Sequence, residues 1–88
     1  MEINIKLSHD RRKLAVGANL RRLIRSDANI RTIARFAELH GCDVRTAKTW
    51  VKHGIDKLTT VSEVAKTLGV SDLELILSER EKAQFGLN

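Results

Sequence analysis

The chain contains no proline, no tyrosine and a single cysteine, and no segment of it is strongly hydrophobic over a long stretch. Because Cys42 has no second cysteine to pair with, an intrachain disulfide is excluded, and we expect a protein of the reducing cytoplasm. No segment approaches the roughly 18 apolar residues of a membrane span. The opening Met-Glu-Ile-Asn-Ile-Lys is unlike a signal peptide. No linker is visible, so residues 1–88 are expected to form one domain.

The sequence also has little that would support catalysis or metal binding. It has no glycine-rich phosphate loop and no grouping of nucleophile, base and orienting residue, so we expect no enzymatic activity. His40, Cys42 and His53 lack the paired, closely spaced ligands of a structural zinc site, so neither a metal nor a cofactor is expected. His40 is better explained by the end of a helix, and Cys42 by a small buried apolar group.

What the chain does have is positive charge, and the charge is uneven. The formal net charge is +5 over 88 residues, which favours nucleic acid, an anionic membrane surface or an acidic protein as a partner. The first half carries most of the arginines, whereas the segment from Ser62 onward is mildly acidic. This distribution predicts one face turned towards a polyanion.

The pattern of apolar residues predicts short helices after an N-terminal arm. Residues 1–7 alternate apolar and polar side chains, which is the period of a half-buried strand. The alternative is that this segment is a frayed arm. Ser8 is a candidate cap for a first helix over residues 8–25, with its apolar stripe made by Val16, Leu20, Leu23 and Ile24. Leu14 and Ala18 fall outside this stripe.

Local capping signals divide the middle of the chain into two more helices. The second helix is predicted over residues 30–40, ended by Gly41. Asp43 is a good cap for a third helix that ends near Gly54 and buries Ala47, Trp50 and Val51.

Two pairs with capping-box spacing predict the last helices, and the five together predict an all-α domain. Thr60 with Glu63, and Ser71 with Glu74, would open a fourth and a fifth helix. In the fifth, we expect the apolar side chains Leu73, Ile76 and Leu77 to point inward and Leu75 to lie on the opposite side. The expected organisation is an arm over residues 1–8, a helical core over 9–79 and a tail over 80–88.

The third helix has the most suggestive surface. Arg45, Lys48, Thr49 and Lys52 are spaced at i, i+3, i+4 and i+7, so they form one polar and basic stripe opposite the apolar side. A helix of this kind fits the DNA major groove, where arginine can contact guanine, and Val44 or Thr49 a thymine methyl. The alternative is an ordinary solvated helix face.

The segment around this helix resembles a helix-turn-helix of the phage λ-repressor, Cro and Xre family. The resemblance is carried by Thr32-Ile33-Ala34-Arg35-Phe36-Ala37-Glu38-Leu39-His40-Gly41-Cys42-Asp43-Val44-Arg45-Thr46-Ala47-Lys48-Thr49-Trp50. Ala37 matches the family's small residue in the first helix of the motif, Gly41 its turn glycine, and Ala47 and Trp50 its anchors in the second helix. Including the flanking helices, it covers roughly residues 14–77. Ile33 replaces a common glutamine, and Lys52-His53-Gly54 a frequent Glu-Arg-Gly.

The resemblance implies a fold, a function and a set of site residues. The fold would be a five-helix λ-repressor-like domain. The function would be that of a homodimeric transcription regulator, a repressor of phage or mobile-element type that binds double-stranded DNA. The implied base-reading residues are Val44, Arg45, Lys48, Thr49 and Lys52. The implied phosphate-binding residues are Arg31, Thr32 and Lys57.

Two other functions remain open at this point. The same fold can serve as a protein-interaction module, either antitoxin-like or effector-binding. It can also bind single strands or RNA, although three aromatic residues offer little stacking surface. A dimer surface is expected either at residues 3–7 with Leu14, or at Leu75 with the C-terminal tail.

Overall fold

The computed structural model of the chain describes residues 2–84 and 86, with side chains described from Arg11 onward. This part of the chain is all-helical, with 75% helix and no strands, which confirms the all-α prediction. It contains six helices instead of five: α1 (Glu2–Ser26), α2 (Ile33–His40), α3 (Val44–His53), α4 (Leu58–Leu68), α5 (Asp72–Ile76) and α6 (Glu79–Gln84).

The predicted N-terminal strand is wrong for the residues that the structure describes. The backbone from Glu2 to Ser26 forms one 25-residue helix, so the first helix begins six residues before the predicted cap at Ser8. A helix satisfies its backbone hydrogen bonds within the segment, whereas a lone strand leaves them without partners. The alternating pattern of residues 3–7 was therefore a poor guide to the local structure.

α1 is the central element of the fold, packing chiefly against α3 and α5. The predicted stripe of α1 is buried at Val16, Leu20 and Ile24, and Leu23 packs partly against the same core. Leu14 and Ala18, which fall off the stripe, are exposed. The other buried apolar side chains come from all of the next four helices and their connections: Ile30, Phe36, Ala37, Ala47, Ile55, Val61, Val64, Ala65, Leu68, Leu75 and Leu77.

Two predicted helix starts are displaced. α2 begins at Ile33 instead of residue 30, because Asp27 accepts a hydrogen bond from the Asn29 backbone N–H (2.8 Å) and stabilises a turn before it. The hydroxyl of Thr32 then caps α2 by accepting from the Arg35 N–H at 3.1 Å. α4 begins at Leu58, which places Thr60 inside the helix and rules out the predicted capping box.

In and after the short helix α5, the prediction is reversed for Leu73 and Leu75 but is confirmed for Leu77, which is buried, and in part for Ile76, which packs against the core. Leu75 is fully buried, whereas Leu73 is 49% exposed. Leu75 is held inside because the buried Asn19 amide donates hydrogen bonds to the carbonyls of Leu75 (2.8 Å) and Leu77 (2.7 Å). A five-residue helix has too few turns for its apolar period to define a face. The burial of Leu75 also removes it from the candidate dimer surfaces.

Much of the predicted tail belongs to α6, which is attached to the body by ion pairs. Lys82 is 3% exposed, and its ammonium lies 3.1 Å from a Glu74 carboxylate oxygen. Arg22 pairs with Glu79 at 2.9 Å, and both ends of the Arg12 guanidinium contact the Glu81 carboxylate. Phe85 and Leu87, which the sequence left without a pattern, lie outside the described residues.

Among the described residues, no helix combines the length and apolar character needed to cross a membrane.

Replacing Asn19 with alanine is expected to destabilise the fold. The substitution leaves the carbonyls of Leu75 and Leu77 without their buried donor, which costs about 1–3 kcal/mol. Urea denaturation followed by circular dichroism measures this loss, and Asn29→Ala, at an exposed position, is the control. Equal stability of the two variants would show that the Asn19 amide does not hold α5.

The Arg12–Glu81 pair is expected to make stability depend on acid pH. The Arg12 hydrogen bond, followed by the Ser78 backbone N–H, lowers the pKa of Glu81 from 4.5 to about 2. A carboxylate with a depressed pKa stabilises the fold above its unfolded-state pKa and loses that contribution as the pH falls. Glu81→Gln should therefore be less stable at neutral pH and lose less stability between about pH 4.5 and 2. Urea denaturation across this range tests it. The exposed Glu63→Gln should follow the unmodified chain.

Candidate nucleic-acid interface

α2 and α3 are joined by a tight turn centred on Gly41. This glycine has φ +82°, and the N–H groups of Gly41 and Cys42 both donate to the Ala37 carbonyl, at 2.9 and 3.0 Å. A Cβ at Gly41 would meet nothing within 4 Å. Glycine is therefore favoured here by the left-handed backbone and not by lack of space. Ala37 and Ala47 are almost completely buried, which lets the two helices approach closely.

α3 occupies the predicted segment, Val44–His53, with Asp43 at its N-cap position. The Asp43 side chain makes no capping hydrogen bond, so the helix start depends on the turn more than on this carboxylate. Cys42 packs partly against the core, and burial raises the pKa of its thiol. Raising that pKa reduces the thiolate fraction, which fits a packing role better than a reactive one.

His40, the last residue of α2, contacts side chains of α3 and α4. Its ring stacks on Phe36 with centroids 5.4 Å apart and meets the edge of Trp50 at 5.5 Å. Its Nδ1 lies 2.7 Å from the Thr67 hydroxyl oxygen in α4. The Thr67 hydroxyl oxygen also lies 3.2 Å from the Glu63 carbonyl oxygen, one turn earlier in α4. The ring fixes the C-terminal end of α2 against α3 and α4.

The opposite end of α3 is held by α1 through backbone contacts at two glycines. A Cβ at Gly17 would lie 2.8 Å from the Val51 carbonyl oxygen, and one at Gly54 would lie 1.9 Å from the Lys13 carbonyl oxygen. Gly54 also has φ +88°, which disfavours a side chain independently of space. These two positions let the α1 backbone approach the C-terminal end of α3 more closely than any residue with a side chain would allow.

With its apolar side held in this way, α3 presents the predicted stripe to solvent. Val44 is 39% exposed, and Arg45, Lys48, Thr49 and Lys52 are all exposed. Ala47 lies on the opposite side and is fully buried, with Trp50 and Val51 half-buried beside it. None of the three cations of the stripe forms an ion pair with a residue whose side chain the structure describes.

The geometry limits what Thr49 can offer to a ligand. Its hydroxyl donates to the Arg45 carbonyl at 3.0 Å, one turn earlier in α3. The hydroxyl oxygen therefore remains available as an acceptor, and the methyl group as an apolar contact. These suit a base amino group and a thymine methyl, respectively.

The three predicted phosphate-binding residues lie at the starts of two helices. Arg31 and Thr32 precede α2, where Arg31 is exposed and has a left-handed backbone with φ +63°. Lys57 is exposed at the N-cap position of α4. Lys57 lines the same groove as Thr49 of the α3 stripe, whereas Arg31 and Thr32 lie at the start of α2.

Acidic residues are distributed unevenly among the helix starts. The first turns of α2, α3 and α4, all within the described part, contain no acidic residue. α5 and α6, by contrast, begin with Asp72 and Glu74 and with Glu79 and Glu81. Asp43 at the N-cap of α3 and Asp56 just before α4 still place carboxylates next to those two helix starts, so the lack of an acidic first turn favours an external anion chiefly at the start of α2.

Sequence reasoning did not place two further side chains, Lys13 and His53, near the C-terminal end of α3. A groove of about 280 Å³ follows the helix, and its lining includes Lys13, His53 and Lys57. Lys13 reaches this groove from α1 and pairs with Asp56 at 3.2 Å. Because Lys13 is far from α3 along the chain, no local pattern indicated this placement. No group of three potential metal ligands occurs among the described residues.

Comparison of the chain with protein-family models, with curated proteins and with solved structures found no match.

Replacing Gly54 with alanine is expected to damage the packing of α3. The added Cβ would clash with the Lys13 carbonyl. Gly41→Ala is the control for a positive-φ alanine without a clash, and its left-handed backbone (ψ 34°) also costs alanine less than that of Gly54 (ψ −175°). We expect Gly54→Ala to lose roughly 2 kcal/mol or more beyond Gly41→Ala. Chemical denaturation of both variants measures the difference, and similar losses would show that the α1–α3 contact is not tight.

Proposed function

We propose that this protein is a sequence-specific regulator that binds double-stranded DNA through a helix-turn-helix formed by α2, the Gly41 turn and α3. The observation that carries the proposal is the stripe of Val44, Arg45, Lys48, Thr49 and Lys52, exposed on a helix whose other side is firmly packed. The resemblance of this segment to the λ-repressor, Cro and Xre family adds to it. The domain would then be a variant of that fold, with α6 as an additional helix.

The dimensions of α3 suit the major groove of DNA. Its ten residues make a rod about 15 Å long and 10–12 Å wide with side chains, close to the roughly 12 Å width of the groove. Arg45, near the N-terminal end, would donate two hydrogen bonds to a guanine, and Val44 would contact a thymine methyl. Lys48, Thr49 and Lys52 would extend these contacts along the helix.

Because α3 is packed against α1 and α2, it would keep its orientation when it enters the DNA groove. His40 holds it from α2 and α4, and the glycine contacts hold it from α1. A side chain on a rigid element keeps its hydrogen-bonding geometry, which is what base readout requires. These contacts would therefore hold the exposed stripe in a fixed position.

Phosphate contacts would flank the base contacts. Arg31 and Thr32 at the start of α2, and Lys57 at the start of α4, offer cations, a hydroxyl and free backbone N–H groups. Such contacts set the position of a protein on DNA and make binding fall as salt rises. Arg12 and Arg22 form ion pairs with α6. These two arginines would therefore stabilise the fold, and DNA would bind to the face formed by α2–α4.

A regulator of this size would act as a homodimer on DNA. One copy presents a single short recognition helix, and two copies related by a two-fold axis would double the contacts over two half-sites. By occupying an operator such a dimer would exclude other proteins, so we propose a repressor of the phage or mobile-element kind.

The exposed leucines favour one other candidate function, that of a protein-interaction module. Leu14, Leu58 and Leu73 are 59%, 61% and 49% exposed. A stoichiometric protein partner, together with no binding to duplex DNA at low salt, would support this alternative. Single-strand binding has less support, because Phe36 is buried and Trp50 is half-buried against His40.

Arg45→Ala is expected to weaken and broaden DNA recognition. Bound duplexes are first selected from a random pool, and affinities are then measured by fluorescence anisotropy across a salt series. The variant should lose about 1–3 kcal/mol on the selected site and discriminate less at one base pair.

Arg80→Ala is the matched control for this experiment. It removes the same charge from an exposed position on α6, so it should change affinity little and sequence preference not at all. Equal effects of the two variants would mean that only net charge matters. No effect of Arg45→Ala would overturn the assignment of α3 as the recognition helix.

A further inference from the structure

A small apolar groove lies between α1, α4 and α5, next to the loop over residues 54–57. Its lining includes Val16, Ile55, Val61 and Ile76, and its volume is about 130 Å³. At its edge stands Leu58, the first residue of α4, which is 61% exposed. A protruding leucine and an apolar hollow therefore occupy the same face of the molecule.

The charged residues around this groove neutralise one another. Lys13 pairs with Asp56 at 3.2 Å. Arg12 pairs with Glu81 and donates to the Ile76 carbonyl at 3.0 Å. In a chain of net charge +5, this face thus carries no unpaired cation among the described residues of its lining. A strongly acidic partner would find little attraction here, and a second positively charged copy would meet little repulsion.

We propose that this face binds the same face of a second copy of the chain, with each Leu58 inserted into the groove of its partner. A two-fold interface brings one patch against itself, so each patch must supply both the protruding and the receiving part. Leu58 and the groove meet this condition. The size also fits, since an apolar cavity of about 150 Å³ in another protein holds one benzene molecule, comparable in bulk to a leucine side chain.

The position of the groove links this pairing to the recognition helix, and this step rests on the proposed function. Lys13, Ile55 and Asp56 line both this groove and the larger one that follows α3. The two-fold axis would therefore pass beside the α3–α4 loop and bring the two copies of α3 to one side of the dimer. That arrangement suits two half-sites on one face of a duplex.

The other expected dimer surface involves Leu14, which is 59% exposed. At 100° per residue, Leu14 lies about 200° around α1 from Arg12 and from Val16, two residues that line the groove. Leu14 and Leu58 are thus similarly exposed leucines on different sides of the molecule, and their variants distinguish the two surfaces.

The test is the oligomeric state of the full chain in the absence of DNA. Sedimentation equilibrium over a concentration series should show a monomer–dimer equilibrium, with a modest affinity because the patch is small. Leu58→Asp should weaken dimerisation by roughly tenfold or more, since each dimer contains the change twice. Leu14→Asp and Leu39→Asp, each replacing an exposed leucine outside the groove, should leave it unchanged. Circular dichroism checks that all three variants fold.

A second measurement locates the interface directly. Concentration-dependent amide shifts in two-dimensional NMR spectra should cluster at Ile55, Leu58 and Ile76, and should be absent at Leu14 and Leu39. A chain that stays monomeric with no such shifts would overturn the proposal. So would a dimer that survives Leu58→Asp or dissociates with Leu14→Asp.

The outcome is separable from that of the proposed function. A monomer that still binds a single half-site would overturn only the pairing, whereas a Leu58-dependent dimer that binds no duplex would overturn only the DNA-binding function.

Discussion

The contact between the α1 backbone and the C-terminal end of α3 determines how the rest of the molecule is arranged. Gly17 and Gly54 have no side chains, so the backbones of α1 and of the end of α3 lie closer together than a Cβ at either position would allow. A contact between main chains has few ways to adjust, unlike one made by long side chains. With this end fixed and His40 holding the other side, the rotation of α3 about its axis is set.

Charge is arranged around the same framework. Acidic residues of α5 and α6 form ion pairs with Arg12, Arg22 and Lys82. Many surface pairs contribute little to stability, but Lys82 is almost completely buried, and Glu74 and Glu79 supply the opposite charges beside its ammonium group. The pairing therefore separates cations that serve the fold from those on α3 that remain available to a ligand.

The parts of the fold that local signals control could be predicted from the sequence. α3 lies where Gly41 and Asp43 placed it, and its exposed stripe follows from helical periodicity alone. A further local signal was overlooked: Ser78 and Glu81 form a reciprocal capping box at the start of α6, with hydrogen bonds of 3.0 and 3.2 Å. Contacts between segments that are distant in the chain could not be predicted from local sequence patterns. Asn19 holding the end of α5 and Lys13 reaching the groove beyond α3 join residues far apart in the chain.

The exposed stripe of α3 has a consequence for how this chain can change. The side chains of Arg45, Lys48 and Lys52 form no hydrogen bond or ion pair with the described side chains or backbone. Substitutions at such surface positions usually alter stability by less than about 0.5 kcal/mol. New ligand preferences can therefore be introduced on this helix without repairing the fold each time. Gly17 and Gly54 allow no such freedom, because a Cβ at either position would collide with the backbone of the neighbouring element.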